Sequence, residues 1–405
     1  MIFKLAWRNI WRNKRRTYIT VGSILFAVLF ASFMEAIQRG AWNNMINNVV
    51  NFYFGYVQVH QDGYWAEQSI DKAFTYDASL SKLETEIHEV KVVVPRLESF
   101  ALASTGEHTM GTLLVGIDPV QENKMTSLEA RLEAGSYLEK EDKAVLVAEG
   151  VLENLKLSLG DTLLLISQGY HGVNAAGKYP VKGVISFASP ELNKQLVYLP
   201  LLEAQWFYGA ENLVTSLAFK IDKQRDIAPA ISAMQTQLDT SLYEIMDWKE
   251  MMPDLLEAKA LDSAGNVVVY IILYMIIAFG IFGTILMMTK ERSYEFGVLV
   301  SIGMKRRLLA ATVWLEVVIM GILGAIIGVL VTMPIVWYFK LNPIRFSGDY
   351  ASTMEKFGFE PVFPASFDLD IFITQAIIIL ILTALLAIYP IWKIQRLEPV
   401  QAMRT

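Results

Sequence analysis

Apolar residues follow two regimes along the chain: long unbroken runs toward both ends, and short alternating stretches between them. Crossing a bilayer takes about 20 apolar residues, because an α-helix rises about 1.5 Å per residue and the hydrocarbon core is about 30 Å thick. Four runs are long enough. Between Arg16 and Glu35 lie 18 uncharged residues, between Asp262 and Lys290 there are 27, and between Asp370 and Lys393 there are 22. A further run from Arg307 to Lys340 is interrupted only by Glu316. The pattern predicts an integral membrane α-helical protein with four transmembrane helices at 18–40, 265–289, 308–339 and 370–392.

Between the first two spans, residues 41–264 read as a mixed α+β domain. Alternation predicts strands over Tyr56–His60, Val90–Pro95, Thr112–Gly116, Thr162–Ser167, Val181–Ser186 and Leu217–Ile221, and helical spacing predicts a helix over Ile227–Leu238. Helical spacing also continues past both adjoining spans, through Ile37, Ala41, Met45 and Val49 after the first and Met252, Leu255, Leu256 and Ala260 before the second. Two helices are therefore expected to form a stalk. Spacing leaves open whether that stalk moves or packs within a rigid core.

Composition agrees with a membrane protein. Of 405 residues 54% are hydrophobic and 19% charged, against about 25% charged in an ordinary soluble domain. The absence of cysteine excludes a disulfide framework, a thiolate metal site, a cysteine nucleophile and a lipidated cysteine anchor. Residues 41–264 carry 17 basic and 31 acidic side chains, and the remainder carries 18 and 10. Basic residues are retained on the cytoplasmic side, and they concentrate in 1–17 and in the 290–307 loop. Both termini and that loop are thus expected on the cytoplasmic side of the membrane. The domain and a 340–369 loop are expected outside, in a 1+3 arrangement with a 393–405 inner tail. A cleaved signal peptide also fits a basic start before an apolar run. Residues 2–12, however, place Phe3, Trp7, Ile10 and Trp11 on one helical face and Lys4, Arg8 and Arg12 on another, as an interfacial amphipathic helix would.

Several chemistries lack their residues. There is no G-x-x-x-x-G-K-[ST] loop and no G-x-S-x-G elbow, so any ATPase is expected on another subunit, which would bind ATP and Mg. His60, His88, His108 and His171 have no ligand spacing and read as surface residues, so no metal site and no cofactor bound by this chain are expected. Glu316 is the ionisable residue within a span, read as paired with a neighbouring helix, as reaching toward the interface, or as a proton site. Gly321, Gly324 and Gly328 contain a G-x-x-x-G step and read as a helix-packing surface, within the chain or against a partner.

The 290–307 loop, KERSYEFGVLVSIGMKRR, places Phe296, Leu299, Val300 and Gly303 on one helical side with basic residues at its end. Such a helix either lies on lipid or docks into a cytoplasmic protein. Glu291, Arg292, Glu295, Phe296, Gly297, Val298, Leu299, Ser301, Ile302 and Gly303 fit the pattern E-R-x-x-E-[IF]-G-[VI]-L-x-[SA]-[IM]-G, and the segment resembles the coupling helix of MacB/LolCDE/FtsX-type ABC transporter permeases. The basic opening Leu5–Thr17, the glycine-rich Gly321–Gly328 and the ending Tyr389–Arg404, with Met403 where the family has Leu, are similar to the family's motifs in the same order. LVGIDP and VAEGVLENLKLSLGDTLLL resemble segments of its extracytoplasmic domain. GYVQVHQDGYW and MDWKEMMPDLLEAKALD are most similar to the lipoprotein-releasing LolC/LolE branch.

The resemblance implies a permease that is not itself an enzyme. It would pair with a cytoplasmic ABC ATPase dimer and a second permease chain, identical or related, within the lipid bilayer of a bacterial cytoplasmic (inner) membrane; no nucleic acid is expected. It also implies that Glu291, Arg292, Glu295, Phe296, Gly297, Leu299, Gly303, Lys305 and Arg306 receive the ATPase, and that motion passes mechanically to the outer domain. The cargo would be a lipoprotein or another amphiphile, with Trp206–Tyr208 one segment read either as an exposed hook or as core. The alternative is an FtsX-type signal transmitter that activates a cell-wall hydrolase.

Overall fold

The computed structural model describes residues 2–187, 189–221, 223–349, 351, 353 and 361–398. The family-like ending beyond residue 398, and most of the 350–360 stretch, lie outside them. The chain forms two compact units: residues 1–43, 258–345 and 362–405, and residues 44–257 with 346–361.

The first unit is mainly helical, with one short antiparallel pairing of Ile344–Arg345 with Val362–Phe363. Its helices are α1 (Ile2–Arg12), α2 (Lys14–Val49), α3 (Pro253–Glu291), α4 (Ser293–Ser301), α5 (Arg306–Leu341), α6 (Leu369–Leu386) and α7 (Ile388–Gln395), with the ends of α2 and α3 belonging to the second unit. Four helical stretches, Lys14–Phe54, Pro253–Glu291, Arg306–Leu341 and Leu369–Gln395, are long and apolar enough to cross a membrane. Their inward residues, among them Ile24, Ile281, Val313, Val317 and Ile379, form one core, while Phe30, Ile276, Phe279, Leu330 and Ile377 stay exposed. Outward apolar side chains suit a hydrocarbon solvent. Association there depends on close packing, which small residues permit. A Cβ at Gly324 would lie 2.7 Å from Ile24 Cβ, and one at Gly328 would lie 2.9 Å from Val28 Cβ, so α5 meets α2 at backbone distance. Gly321 faces α6, with Thr383 and Leu380 carbons at 3.2 Å. The glycine contacts are made within the chain.

The expected face of α1 divides. Ile10 turns inward with Ala6, whereas Phe3, Trp7 and Trp11 remain exposed. Thr17 Oγ1 donates to Ile10 O at 2.5 Å and Asn13 O at 3.2 Å, fixing the corner between α1 and α2.

The second unit is built on a ten-stranded sheet. Its strands are β1 (Val57–Gln61), β2 (Val90–Ser104), β3 (Thr109–Ile117), β4 (Leu132–Gly135), β5 (Val145–Ala148), β6 (Thr162–Gln168), β7 (Asn174–Ile185), β8 (Leu196–Pro200), β9 (Ser216–Ile221) and β10 (Tyr243–Asp247). Their order is β10-β1-β9-β2-β3-β8-β5-β7-β4, with β6 paired to β2 and β7. Among the described residues only the β3–β8 and β5–β7 pairings are parallel. Helices at Glu149–Leu155, Leu201–Tyr208 and Ile227–Gln237 cover the sheet.

A buried ion network holds the entry to this unit. After α2 the chain makes a π-helical turn, Val50–Phe54, closed by Gly55 at φ 74°. Arg96, fully buried, donates to Tyr53 O at 2.6 Å and grips both oxygens of Glu122 at 2.9 and 2.7 Å. Tyr53 Oη donates to Glu98 at 3.0 Å. Burial raises the Glu98 carboxyl above its usual range, against the pull of Arg96. Such a network leaves few ways to arrange the turn.

Two expectations are corrected here. His60 is not a surface residue: it is fully buried on β1, with ring centroids 5.1 Å from Tyr64 and 5.4 Å from Trp65. Alternation placed it toward one face of a strand, but both faces of this strand are covered. Trp206–Tyr208 is neither all hook nor all core. Phe207 and Tyr208 are buried, and Trp206 faces out with Lys143 Nζ 5.6 Å from its ring.

Candidate functional site: a clamped loop at the basic end of the helical unit

The segment between α3 and α5 is a short helix between two turns. Glu291 ends α3, Arg292 leads α4, and Gly303 turns the chain at φ 101° before Lys305 opens α5. Gly303 therefore lies past the helix rather than on its face. A β-carbon there would meet nothing within 4 Å, so its role is conformational.

Arg292 organises the site. Its Nη1 donates to Glu316 Oε2 of α5, its Nε donates to Glu295 Oε2 at 3.2 Å, and its guanidinium carbon sits 5.2 Å from the Phe296 ring centre. Glu316 is fully buried and takes a second bond, from Asn9 Nδ2 of α1 at 2.5 Å. Arg12 of α1 donates to both oxygens of Glu295. Burial would raise the Glu295 carboxyl, but hydrogen bonds from Arg12 and Arg292 carry it below its usual range. Three elements, α1, α4 and α5, are thus pinned by one chain of charges. Glu316 is paired with Arg292, which leads α4, and with Asn9 of α1.

The structure turns the expected loop face inward. Phe296 and Gly297 are buried, and Leu299 and Val300 pack against the helical core. An amphipathic helix next to apolar spans satisfies its apolar stripe within its own bundle. Among the residues that face outward are Glu291, Tyr294, Ser301, Ile302, Gly303, Lys305, Arg306 and Arg307. Ile302 is 76% exposed and Tyr294 55%. Arg306 also donates to Gln395 O at 2.8 Å, tying α5 to α7.

Asn9 and Tyr294 were not singled out by the sequence; Arg12 was read only as part of the polar face of the 2–12 helix, and Ile302 only as a match to the motif. Asn9 and Arg12 sit on the polar side of α1, where spacing gives no partner. Ile302 follows the last helical turn, where the periodicity that would mark it ends.

The residues read as a stalk are placed as follows. Ile37 packs beside Ala36, Val336 and Phe372 in the helical unit, and Ala41 is half-buried. In the second unit the buried stripe runs through Ile46 and Val50, one residue on from the expected Met45 and Val49. Met45, Val49, Met252 and Leu255 line a cavity of about 250 Å³, and Leu256 packs on the adjoining core. Among the described residues no group of three or more His, Cys, Asp or Glu is placed to hold a metal.

Residues 17–237 match the MacB-like periplasmic core domain, and residues 267–399 match the FtsX-like permease C-terminal domain. The chain belongs to the MacB/FtsX-type ABC transporter permeases. The family is that of ABC transporter permeases, which work with ATPase partners. The chain is similar to the lipoprotein-releasing system transmembrane protein LolC of Xylella fastidiosa strain 9a5c, with 22% identity over 331 residues covering 76% of each chain. It is equally similar to that of strain Temecula1 / ATCC 700964, with 22% over 324 residues and 76% of each. Among solved structures, the extracellular domain of the noncanonic ABC-type transporter YknZ from Gram-positive bacteria aligns with TM-score 0.34 and 15% identity, over 48% of this chain and 100% of that one. The periplasmic region of MacB from Actinobacillus actinomycetemcomitans aligns with TM-score 0.35 and 14% identity, over 53% and 98%.

Proposed function

We propose that this permease transmits cytoplasmic ATP hydrolysis mechanically to its second unit, which acts outside the membrane on a lipoprotein or another amphiphile. Both termini and the α3–α5 loop face the cytoplasm in this reading, in a 1+3 arrangement, and the ends of α2 and α3 form the stalk. A separate ATPase dimer binds ATP and Mg, and a second permease chain, identical or related, completes the complex. The clamped loop is the observation that carries the reading. A force applied at Tyr294, Ile302 and Lys305 would reach α5 through Arg292–Glu316 and α1 through Arg12–Glu295. Coupling needs such a contiguous element, biased from both ends.

The experiment is reconstitution of the full permease with its ATPase in vesicles. Replacing Glu291, Glu295 and Gly303 together is expected to abolish permease-stimulated hydrolysis while the chain still inserts and folds. Undiminished stimulation would remove the loop from the coupling path. Acylated protein retained on the purified complex supports the cargo assigned here, whereas a stable soluble hydrolase partner would replace it with signalling.

A further inference from the structure

At the other end of the helical unit a second polar cluster gathers around Arg39. Arg39 donates to Glu35 at 3.0 Å and to Asp370 of α6 at 2.6 Å. Tyr270 of α3 donates to Glu35 Oε2 at 2.5 Å, and Tyr274 donates to Gln375 Oε1 of α6 at 2.6 Å. These groups border a cleft of about 340 Å³ that Val267 and Ile271 complete on an apolar side. Both apolar residues are 55% exposed.

The position of the cleft narrows what can fill it. At about 1.5 Å per residue, Glu35 and Arg39 stand about 28 and 34 Å along α2 from Arg16, and Tyr270 and Tyr274 about 30 and 24 Å along α3 from Lys290. A hydrocarbon core is about 30 Å thick. The polar wall therefore lies at the headgroup level of the far leaflet, where Tyr and Trp collect, and the apolar wall borders the acyl region. This placement rests on the membrane-spanning reading of the helical unit.

Charge narrows the ligand further. The lining carries one acid, Glu35, and one base, Arg39, and at its rim Asp370 pairs with Arg39 at 2.6 Å while Asp368 lies 4.0 Å away, so acids outnumber the base. A guanidinium has five N–H donors, so Arg39 keeps donors beyond those given to Glu35 and Asp370. Glu35, Gln375 and the tyrosine hydroxyls supply acceptors beside it. A head bearing both a phosphate and an ammonium meets the remaining Arg39 donors and the acid excess together, whereas a purely anionic head would face Glu35 and Asp370 uncompensated. We propose that the cleft between α2, α3 and α6 binds one zwitterionic phospholipid, its phosphate at Arg39 and its ammonium at Glu35 and Gln375.

The test uses the full chain, reconstituted in nanodiscs of equimolar phosphatidylethanolamine and phosphatidylglycerol, released into mild detergent and examined by native mass spectrometry. One phosphatidylethanolamine per chain is expected to remain bound, enriched at least tenfold over phosphatidylglycerol. Ile271→Trp, which fills the cleft and removes no polar partner, should lower that retention at least tenfold. Tyr274→Phe, which changes no volume of consequence, should lower it severalfold should the larger residue impair folding. Equal retention of the two lipids, or unaltered retention in either folded variant, overturns the proposal. So does a disulfide between two copies carrying Ile271→Cys, because it places a second chain over the cleft. Release of the chain from membranes by alkaline carbonate would instead overturn the membrane reading itself.

Discussion

Arg292 donates a hydrogen bond to Glu316 across 24 residues of sequence, with Arg292 5% exposed and Glu316 fully buried. Removing one partner of a buried pair leaves the other charge uncompensated, at a cost of about 3–5 kcal/mol, while replacing both with apolar residues is often near neutral. Glu316→Leu is expected to lower the melting temperature of the detergent-solubilised chain markedly. Arg292→Met combined with Glu316→Leu is expected to recover most of the loss. A double variant as unstable as the single one would show that the pair does not account for it.

The outward side of the loop predicts the reverse pattern. Tyr294 and Ile302 are exposed, and surface substitutions usually change stability by no more than about 0.5 kcal/mol. Tyr294→Ala with Ile302→Ala should leave melting unchanged and reduce permease-stimulated ATP hydrolysis at least tenfold. Phe296→Ala should do the opposite first, destabilising by about 3–5 kcal/mol as a buried aromatic lost from a core. A hydrolysis assay beside a melting curve separates the two faces.

Glycines on α5 and α3 give an internal comparison. A methyl group at Gly324 would press on Ile24 Cβ at 2.7 Å and on Val21 O at 3.0 Å, whereas one at Gly280 would meet nothing within 4 Å. Gly324→Ala is expected to destabilise by about 1–3 kcal/mol through overpacking. Gly280→Ala should be neutral or stabilising by up to about 1 kcal/mol, from helix propensity. Equal effects at both positions would deny that α5 and α2 meet at the glycines.

What the sequence made legible follows from periodicity. The four long apolar helices announce themselves by length, and β1, β6 and β9 were found within a residue or so of their bounds, from alternation and runs of β-formers. β5 and β8 were missed because all their residues are buried, so their sequences, VLVA and LVYLP, do not alternate. A continuous apolar run of that length reads equally as strand or helix. The loop was found through its motif, but its orientation was not. Phe296 and Ile302 are both apolar, and only the neighbouring helices decide that the first is covered and the second bare. The Arg39 cluster escaped for another reason: Arg39 and Asp370 are 331 residues apart, and spacing gave neither a partner, Asp370 serving only to mark where the last apolar run begins.

His60 predicts an acid limb to stability. Burial lowers its pKa from 6.5 to about 3, and its ring stacks with Tyr64 while Nε2 bonds Gln58 at 2.8 Å. Glu244 lies 3.8 Å from Nδ1 but also accepts from Trp65 N at 2.8 Å. The folded chain thus refuses a proton that the unfolded chain accepts. Above pH 6.5 the residue is neutral in both states and its contribution to stability is complete. As pH falls from 6.5 toward 3 the unfolded state gains the proton, and stability is lost at up to about 1.4 kcal/mol per pH unit. His60→Phe keeps the ring packing, removes the titration, and forfeits the Gln58 bond equally at every pH. Melting temperatures of the two solubilised chains should therefore converge or cross as pH drops from 7.5 to 5, because only the parent chain carries the histidine term. Curves that stay parallel over that range would mean that His60 takes up its proton in the folded state, with Glu244 as the counter-charge.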